Sequence, residues 1–398
     1  MTYSFTLSKP LQDYSTALRE WSAAECRPYA RQADIDKRRP DNWKTILDTA
    51  PVPLGRADRE LPDPLPTFEE GYWVSHLAFY ESINYGDIWV HPTLGNGGIG
   101  HLVVQAMGTP AQIEKWYDDA FVKQRGDTGF ALTEPGFGSD TSKVATTATR
   151  DGDSWVLNGT KMYCTGGAFA DYVVVFATID KTQGAKGINA FVVPKGTPGF
   201  VVAKENEDKL GIRSWTTSEL VFENCAVPLD HRLGWSAEGG DAEVGNGQGG
   251  ALSALAWNRP NMSALAIGLA QASLDTVTPI LKGQQAGFTP QRWASVERDL
   301  EAMNAALDRG RRLNYLAQST VDAGNPSRSL SAAAKGYLPE TVERVIRRCM
   351  ELLGPEGASK ELLLEKWYRD CKIMDIFEGS GQVQRIVVGR SLLGRLAG

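Results

Sequence analysis

Apolar residues in the first third of the chain recur at helical spacing. Leu18 and Trp21 share a face, as do Ile46 and Leu47 further on. Trp73, Leu77, Tyr80 and Ile83 repeat every three or four positions, which predicts a helix with one apolar side. The stretch APVPLGRADRELPDPLPTF separates these segments with prolines at 51, 53, 62, 64 and 66. Proline removes a helical N–H and clashes with the preceding turn, so this stretch is loop. Ala111 to Phe121 gives another short helix behind Pro110.

From about residue 127 to 235 the period changes. Short β-rich runs follow one another: TGFALT, KVATTATR, SWVLNG, KMYCTG, DYVVVFAT, INAFVVP, GFVVAK and SELVFENCAV. Eight such runs without intervening helices predict an antiparallel sandwich or barrel. Asn158-Gly159, between WVL and TKMYC, predicts a tight hairpin. Helical spacing returns near 250. Leu265, Leu269, Ala272 and Val277 trace a stripe, and long segments follow around 290–322, 330–353 and 360–374. Short breaks between them (GNPS, GPEGAS) predict a four-helix bundle. A glycine-rich linker, GWSAEGGDAEVGNGQGG, joins the two regions. The expected architecture is α+β and multidomain: a helical domain over 1–126, an antiparallel β-domain over 127–236 and a helical bundle over 237–398. Strands and helices do not alternate, which argues against a Rossmann-type enzyme.

The chain has 398 residues, enough to bury a sizeable core without staples. Its 42% hydrophobic and 23% charged residues are ordinary globular usage. A net charge of −6 argues against a general nucleic-acid binder. There is no run of about 18 apolar residues, so no membrane span is expected. The opening MTYSFTLSKPLQDYS lacks the charged head and apolar block of a signal peptide. Five scattered cysteines match neither a zinc site nor a disulfide framework, and no metal is expected. They suit a cytoplasmic protein.

Four stretches carry candidate chemistry. Gly95 to Gly100 matches G-x-G-x-x-G, but its flanks are helix or loop rather than a strand and a βαβ unit. It reads as a structural loop. FALTEPGFGSDTSK, residues 130–143, places Pro135, Gly136 and Gly138 directly after a strand. Thr133, Ser139 and nearby N–H groups could grip a ring with carbonyl oxygens or a pyrophosphate; the plainer reading is a turn. LNGTKMYCTGG sets the flat ring of Tyr163 beside the hydroxyl of Thr165. That pairing suits a planar cofactor, or equally a core tyrosine on a half-buried strand. Near the C-terminus, Val383, Ile386, Val387, Leu393 and Leu396 form an apolar helix face, and Glu378 stands just before it behind Ile376-Phe377. A carboxylate in apolar surroundings has a raised pKa, as a general base near neutrality needs. A solvated or capping Glu is the alternative.

Taken in order, ALTEPGFGSD, LNGTKMYCTGG, KLGIRSWTTSELVFENCAVP, NRPNMSALAIGLAQASLD and MDIFEGSGQVQRIVVGR resemble the acyl-CoA dehydrogenase family from about residue 65 to the C-terminus. The resemblance implies a helical domain, a β-domain and a four-helix bundle, with FAD between the last two. Phe130, Leu132, Thr133, Gly138 and Ser139 would form the flavin loop, Ser139 also reaching the substrate's thioester tail. Tyr163 and Thr165 would meet the flavin ring where the family often has Trp-x-Thr. Ser380 and Gln382 would be further flavin contacts. Arg259 and Phe377 would lie at the substrate, and Glu378 would be the base. In other branches the base precedes that arginine; here Asn258 stands there and cannot accept a proton from carbon. The implied reaction converts an acyl-CoA, or a carrier-protein thioester, to a trans-2-enoyl thioester, as in fatty acid metabolism. Electrons would pass to an electron-transfer flavoprotein.

The resemblance also implies a homo-oligomer, a dimer or tetramer. Several positions depart from the family pattern. The loop near 50–66 is proline-rich rather than acidic and glycine-rich. Gln284 stands where an arginine normally reaches a neighbour's FAD pyrophosphate. Glu351 and Pro355 replace the Gln and Gly of a Q-x-x-GG turn, and the glycine-rich linker is an insertion. A heteromer whose partner supplies the missing arginine is therefore one alternative. A flavin monooxygenase of the same fold is another, which Tyr163 favours and Glu378 opposes.

Overall fold

A computed structural model describes residues 6–52, 54, 66–94, 98–124, 126–236 and 247–396. Most of the proline-rich loop and of the glycine-rich linker, and residues 95–97 of the glycine motif, lie outside the described residues. The N-terminal region is helical: α1 Lys9–Trp21, α2 Ala30–Asp36, α3 Trp43–Asp48, α4 Tyr72–Asn84, α5 Gly100–Met107 and α6 Pro110–Gln112. The helix α6 continues as a π-wound segment, Ile113–Lys123. The central sheet has β1 Thr128–Ala131, β2 Thr147–Asp151, β3 Ser154–Thr165, β4 Tyr172–Thr178, β5 Ile188–Pro194, β6 Phe200–Lys204 and β7 Thr217–Pro228. The C-terminal region has α7 Gly247–Gly283, α8 Pro290–Asp322, α9 Arg328–Leu353, α10 Leu364–Cys371 and α11 Gly381–Leu396.

The sheet runs β1-β4-β2-β3-β7-β6, with β5 on the other flank of β4. Four of its six pairings are antiparallel, while β1 and β2 each meet β4 in parallel. Successive side chains of a strand point to opposite faces. Val174 and Phe176 of β4 pack with Leu102, Val104 and Trp116. Val173 and Val175 pack with Trp155, Phe191 and Phe222 on the other face. Both faces are thus buried, and β4 reads as an unbroken apolar run.

The expected hairpin at Asn158-Gly159 is not formed. SWVLNG and KMYCTG are one strand, β3, so there are seven strands rather than eight. Gly159, at φ +152°, sits at a bulge against β7, and a Cβ there would lie 2.4 Å from Thr146 Oγ1. The dipeptide permits a close approach of two strands instead of a turn. The tight turn is Gly152-Asp153, between the paired Asp151 and Ser154.

The bundle is not a separate core. Leu18, Trp21, Ile83 and Trp89 share one cluster with Leu265, Leu269, Leu307, Ile346 and Trp367. Gly268 makes this possible, because a Cβ on it would lie 2.4 Å from Glu81 O. Helix α4 is consequently buried from Val74 to Asn84, not on one face only. By length and composition α7 could cross a membrane, yet 67% of its most apolar window is buried inside this chain. Leu265 and Leu269 are fully buried, so their stripe is internal and offers no face for subunit contact. Exposed apolar side chains lie instead on α11, at Ile386, Leu392 and Leu393. All five cysteines are free and buried.

Candidate active site

One cavity of about 1010 Å³ opens between the sheet, α4, α5 and α7. The loop after β1 forms its sheet-side wall with Phe130, Thr133, Gly138 and Ser139. A buried ion pair fixes that loop. Lys161 Nζ donates to Glu134 Oε1 (2.8 Å) and to Leu132 O (3.1 Å). The same carboxylate accepts from the N–H groups of Ala145 and Thr146 and from the Thr146 hydroxyl. Leu132 is buried behind the wall rather than lining it. Gly138 needs no left-handed backbone, and a Cβ on it would meet nothing nearer than Thr133 Cγ2 at 4.0 Å.

Tyr163 and Thr165 line the same cavity. Tyr163 is not core: it is 60% exposed. It sits at the second register break between β3 and β7, at φ +57°. Such a break turns a side chain away from the pleat. Among the described residues six non-glycines have left-handed backbone, and three of them, Tyr163, Ile212 and Glu378, line this cavity. Left-handed backbone is costly for such residues and concentrates at functional sites. Ile212 carried no signal in the sequence; its N–H is held by Asp370 Oδ1 at 2.6 Å.

Glu378 enters from the turn before α11, with Phe377 beside it. Its Oε1 accepts from Asn258 Nδ2. Its Oε2 is shielded from solvent and has no partner. Burial pushes its pKa up to about 7, with Asn258, Arg259 and Lys335 opposing the rise. The backbone of this turn is tied from three helices. Arg259 Nε donates to Glu378 O (2.8 Å) and Lys335 Nζ to Gly379 O (3.2 Å). Gln384 Nε2 reaches both carbonyls, at 3.3 and 3.0 Å. Arg259 therefore positions the turn and does not line the cavity. Lys335 and Gln384, both fully buried, went unnoticed in the sequence: only the fold carries Lys335 to this turn, and Gln384, six positions along, gave no local sign that its side chain folds back.

Ser380 and Gln382 do not line the cavity. Gln382 borders a separate polar cleft with Arg344, Arg347, Lys372 and Arg385. Gln284 Nε2 donates to Glu356 Oε2 (3.3 Å), and Glu351 accepts from Arg348 (2.9 Å). Among the described residues no group of three or more His, Cys, Asp or Glu is arranged to hold a metal.

This layout agrees with the comparisons. Residues 129–225 match the acyl-CoA dehydrogenase middle domain and residues 245–393 its C-terminal domain. The short-chain specific acyl-CoA dehydrogenase of Bos taurus is 38% identical over 94% of this chain and 88% of its own. That of Rattus norvegicus is 38% identical over 66% of this chain, a match spanning 62% of the rat protein. The butyryl-CoA dehydrogenase of Megasphaera elsdenii superposes with a TM-score of 0.84 at 30% identity, covering 98% of this chain and 100% of its own. The chain belongs to the acyl-CoA dehydrogenase family, a family of FAD-dependent oxidoreductases.

Proposed function

We propose that this protein is an FAD-dependent acyl-CoA dehydrogenase with Glu378 as its base. The observation that carries the reading is the state of that carboxylate. One oxygen is anchored by Asn258, while the other is unpartnered and shielded, on a residue that lines the same cavity as Thr133 and Ser139. The residues present suit a flavin: hydroxyls at Thr133, Ser139 and Thr165, the ring of Tyr163, and open space beside Gly138. When bound, FAD supplies the two-electron acceptor for the substrate's β-hydride.

The protein's own part is to remove the α-proton at Glu378 Oε2 and to align the thioester. A pKa near 7 suits that step, because about half of the base is then ionised at neutral pH, and it holds a proton more strongly than an ordinary carboxylate. An N–H at residue 378 stabilises the developing enolate oxygen. The apolar walls exclude water. The product is a trans-2-enoyl thioester, from an acyl-CoA or a carrier-protein thioester, and electrons leave to an electron-transfer flavoprotein. Ser380 and Gln382 contact parts of FAD beyond the ring. The three-domain division at 126/127 and 236/237, a cytoplasmic location and a role in fatty acid metabolism belong to the same reading. Assembly as a dimer or tetramer would use the exposed apolar residues of α11.

A heteromer is the second reading. It is favoured by Gln284, which stands beside the carboxylate Glu356 where a cation would suit a neighbour's anionic cofactor, and by the carboxylate at Glu351. The test is direct: the purified protein carries FAD, and an acyl-CoA bleaches it under anaerobic conditions. A protein that takes up no FAD alone but does so with a homologous second chain supports the heteromer. A protein that binds FAD yet is bleached by no thioester overturns the dehydrogenase reading.

A further inference from the structure

Six rings run without interruption along one side of the cavity. Tyr72 and Trp73 lie against His76, with ring centroids 4.1 and 5.6 Å away. His76 meets Tyr80 at 5.9 Å, and Tyr80 meets His91 at 5.2 Å. His91 then stacks on Trp215 at 4.9 Å and 23°. All six line the cavity that Glu378 enters. Aromatic faces and edges favour another flat ring beyond what buried area alone gives, whereas a flexible alkyl chain gains only the area.

This wall is uncharged. Among the described residues lining the cavity, Glu378 is the one carboxylate and Lys209 the one ammonium. Lys209 is already engaged by Asn206 Oδ1, by Glu207 O at 3.2 Å and by Trp215 O at 2.9 Å. Burial lowers the His76 pKa to about 4 and the His91 pKa to about 3, so both rings are neutral near pH 7. An acyl group ending in a carboxylate would find only this one ammonium, whose three hydrogens are already taken.

Among the described residues, one buried side-chain atom of the wall lacks a hydrogen-bond partner. His76 Nδ1 is paired with Tyr72 O at 3.0 Å, and Trp215 Nε1 donates to Ile88 O at 2.8 Å. His91 is 3% exposed, and its buried Nδ1 has no partner. Buried polar atoms are normally satisfied, and one left alone on a residue that lines a ligand cavity is a place for a ligand group.

We infer that the substrate is a thioester whose acyl group carries an uncharged unsaturated ring with a hydrogen-bonding substituent, the ring lying along the Tyr72–Trp215 wall and the substituent meeting His91 Nδ1. The inference rests on the dehydrogenase reading above. For a 3-arylpropanoyl thioester the step balances. Cα gives its proton to Glu378, Cβ gives its hydride to FAD, and the new Cα=Cβ bond is conjugated with both ring and thioester.

The test is anaerobic flavin reduction of the FAD-loaded enzyme by three CoA thioesters: 3-(4-hydroxyphenyl)propanoyl, 3-phenylpropanoyl and butanoyl. The hydroxyphenyl substrate should exceed the phenyl one in kcat/KM by about tenfold or more, because the unsubstituted ring leaves a buried polar atom unpaired. Both should exceed butanoyl. His91→Phe keeps a ring and removes the nitrogen, so the hydroxyphenyl-to-phenyl ratio should fall towards one. An unchanged ratio overturns the inference. So does butanoyl equal to or better than both aryl substrates, an outcome that leaves the dehydrogenase reading standing. No reduction by any of the three, nor by alkanoyl thioesters from butanoyl to hexadecanoyl, overturns that reading itself. The wild-type comparison decides the matter even where His91→Phe does not fold.

Discussion

Two glutamates point into the interior of this protein, and their surroundings give them opposite characters. Glu81, on α4, is 2% exposed. Arg311 grips it with Nε and Nη2, each at 2.9 Å, and Arg19 Nη2 reaches it at 2.6 Å. Burial alone would raise its pKa, but the two guanidiniums outweigh that and hold it below the ordinary carboxylate range. Glu378 has one carboxylate oxygen shielded from solvent, yet its cations make their hydrogen bonds elsewhere. Arg259 and Lys335 donate to main-chain carbonyls at 378 and 379, not to the carboxylate. Its pKa rises to about 7. The same cation type locks one acid as a permanent ion pair and leaves the other able to exchange a proton. What differs is whether the cation binds the side chain or the backbone behind it.

The sharpest way to break this contrast is Glu378→Gln. The amide keeps the shape but accepts no proton from carbon, so flavin reduction should slow by about 10²–10⁴ or more, with FAD still bound. Stopped-flow measures it, and near wild-type reduction would remove Glu378 as the base. The pH dependence of stability carries a second signature. The folded pKa of Glu378 lies above its ordinary value of 4.5. Its contribution is therefore fully present below that value and lost as pH rises through about 7. Glu378→Gln should flatten that decline.

Glu81→Gln should do the opposite. It leaves the Arg311 guanidinium part-buried without its counter-charge, at a cost of about 3 kcal/mol in urea unfolding. The wild-type contribution of Glu81 is present above its unfolded pKa and is lost as pH falls through the lowered folded value. Flavin reduction per folded molecule should hold. A large loss of rate without loss of stability would overturn the division of roles.

The smallest expected effect tests the backbone-bound cation. Flavin reduction should rise with pH through about 7 as Glu378 ionises. Lys335→Met removes a positive charge from a field that also includes Arg259 and Asp375. The acid limb should move to higher pH, slowing reduction at pH 6 by roughly three- to tenfold for a shift of half to one unit. Lys335→Arg should restore the wild-type limb. An unmoved limb in Lys335→Met would make Lys335 a packing residue only.

The sequence by itself determined the order of helical, β and helical regions, because hydrophobic periods of 3.6 and 2 are local properties. It also marked the loop at 130–139 and Glu378, where apolar neighbours and helix-start residues sit next to each other in the chain. It misplaced the turn at Asn158-Gly159, since an Asn-Gly pair serves a bulge as well as a hairpin, and only the approach of Thr146 decides which. It could not show that the Leu265–Leu269 stripe faces inward, because a periodic stripe does not say what covers it. Only the tertiary structure brought Asn258 and Lys335 to one turn, or set His91 against Trp215. Those contacts join residues tens to more than a hundred positions apart. No local pattern encodes them, and they are fixed only when whole helices find their packing partners.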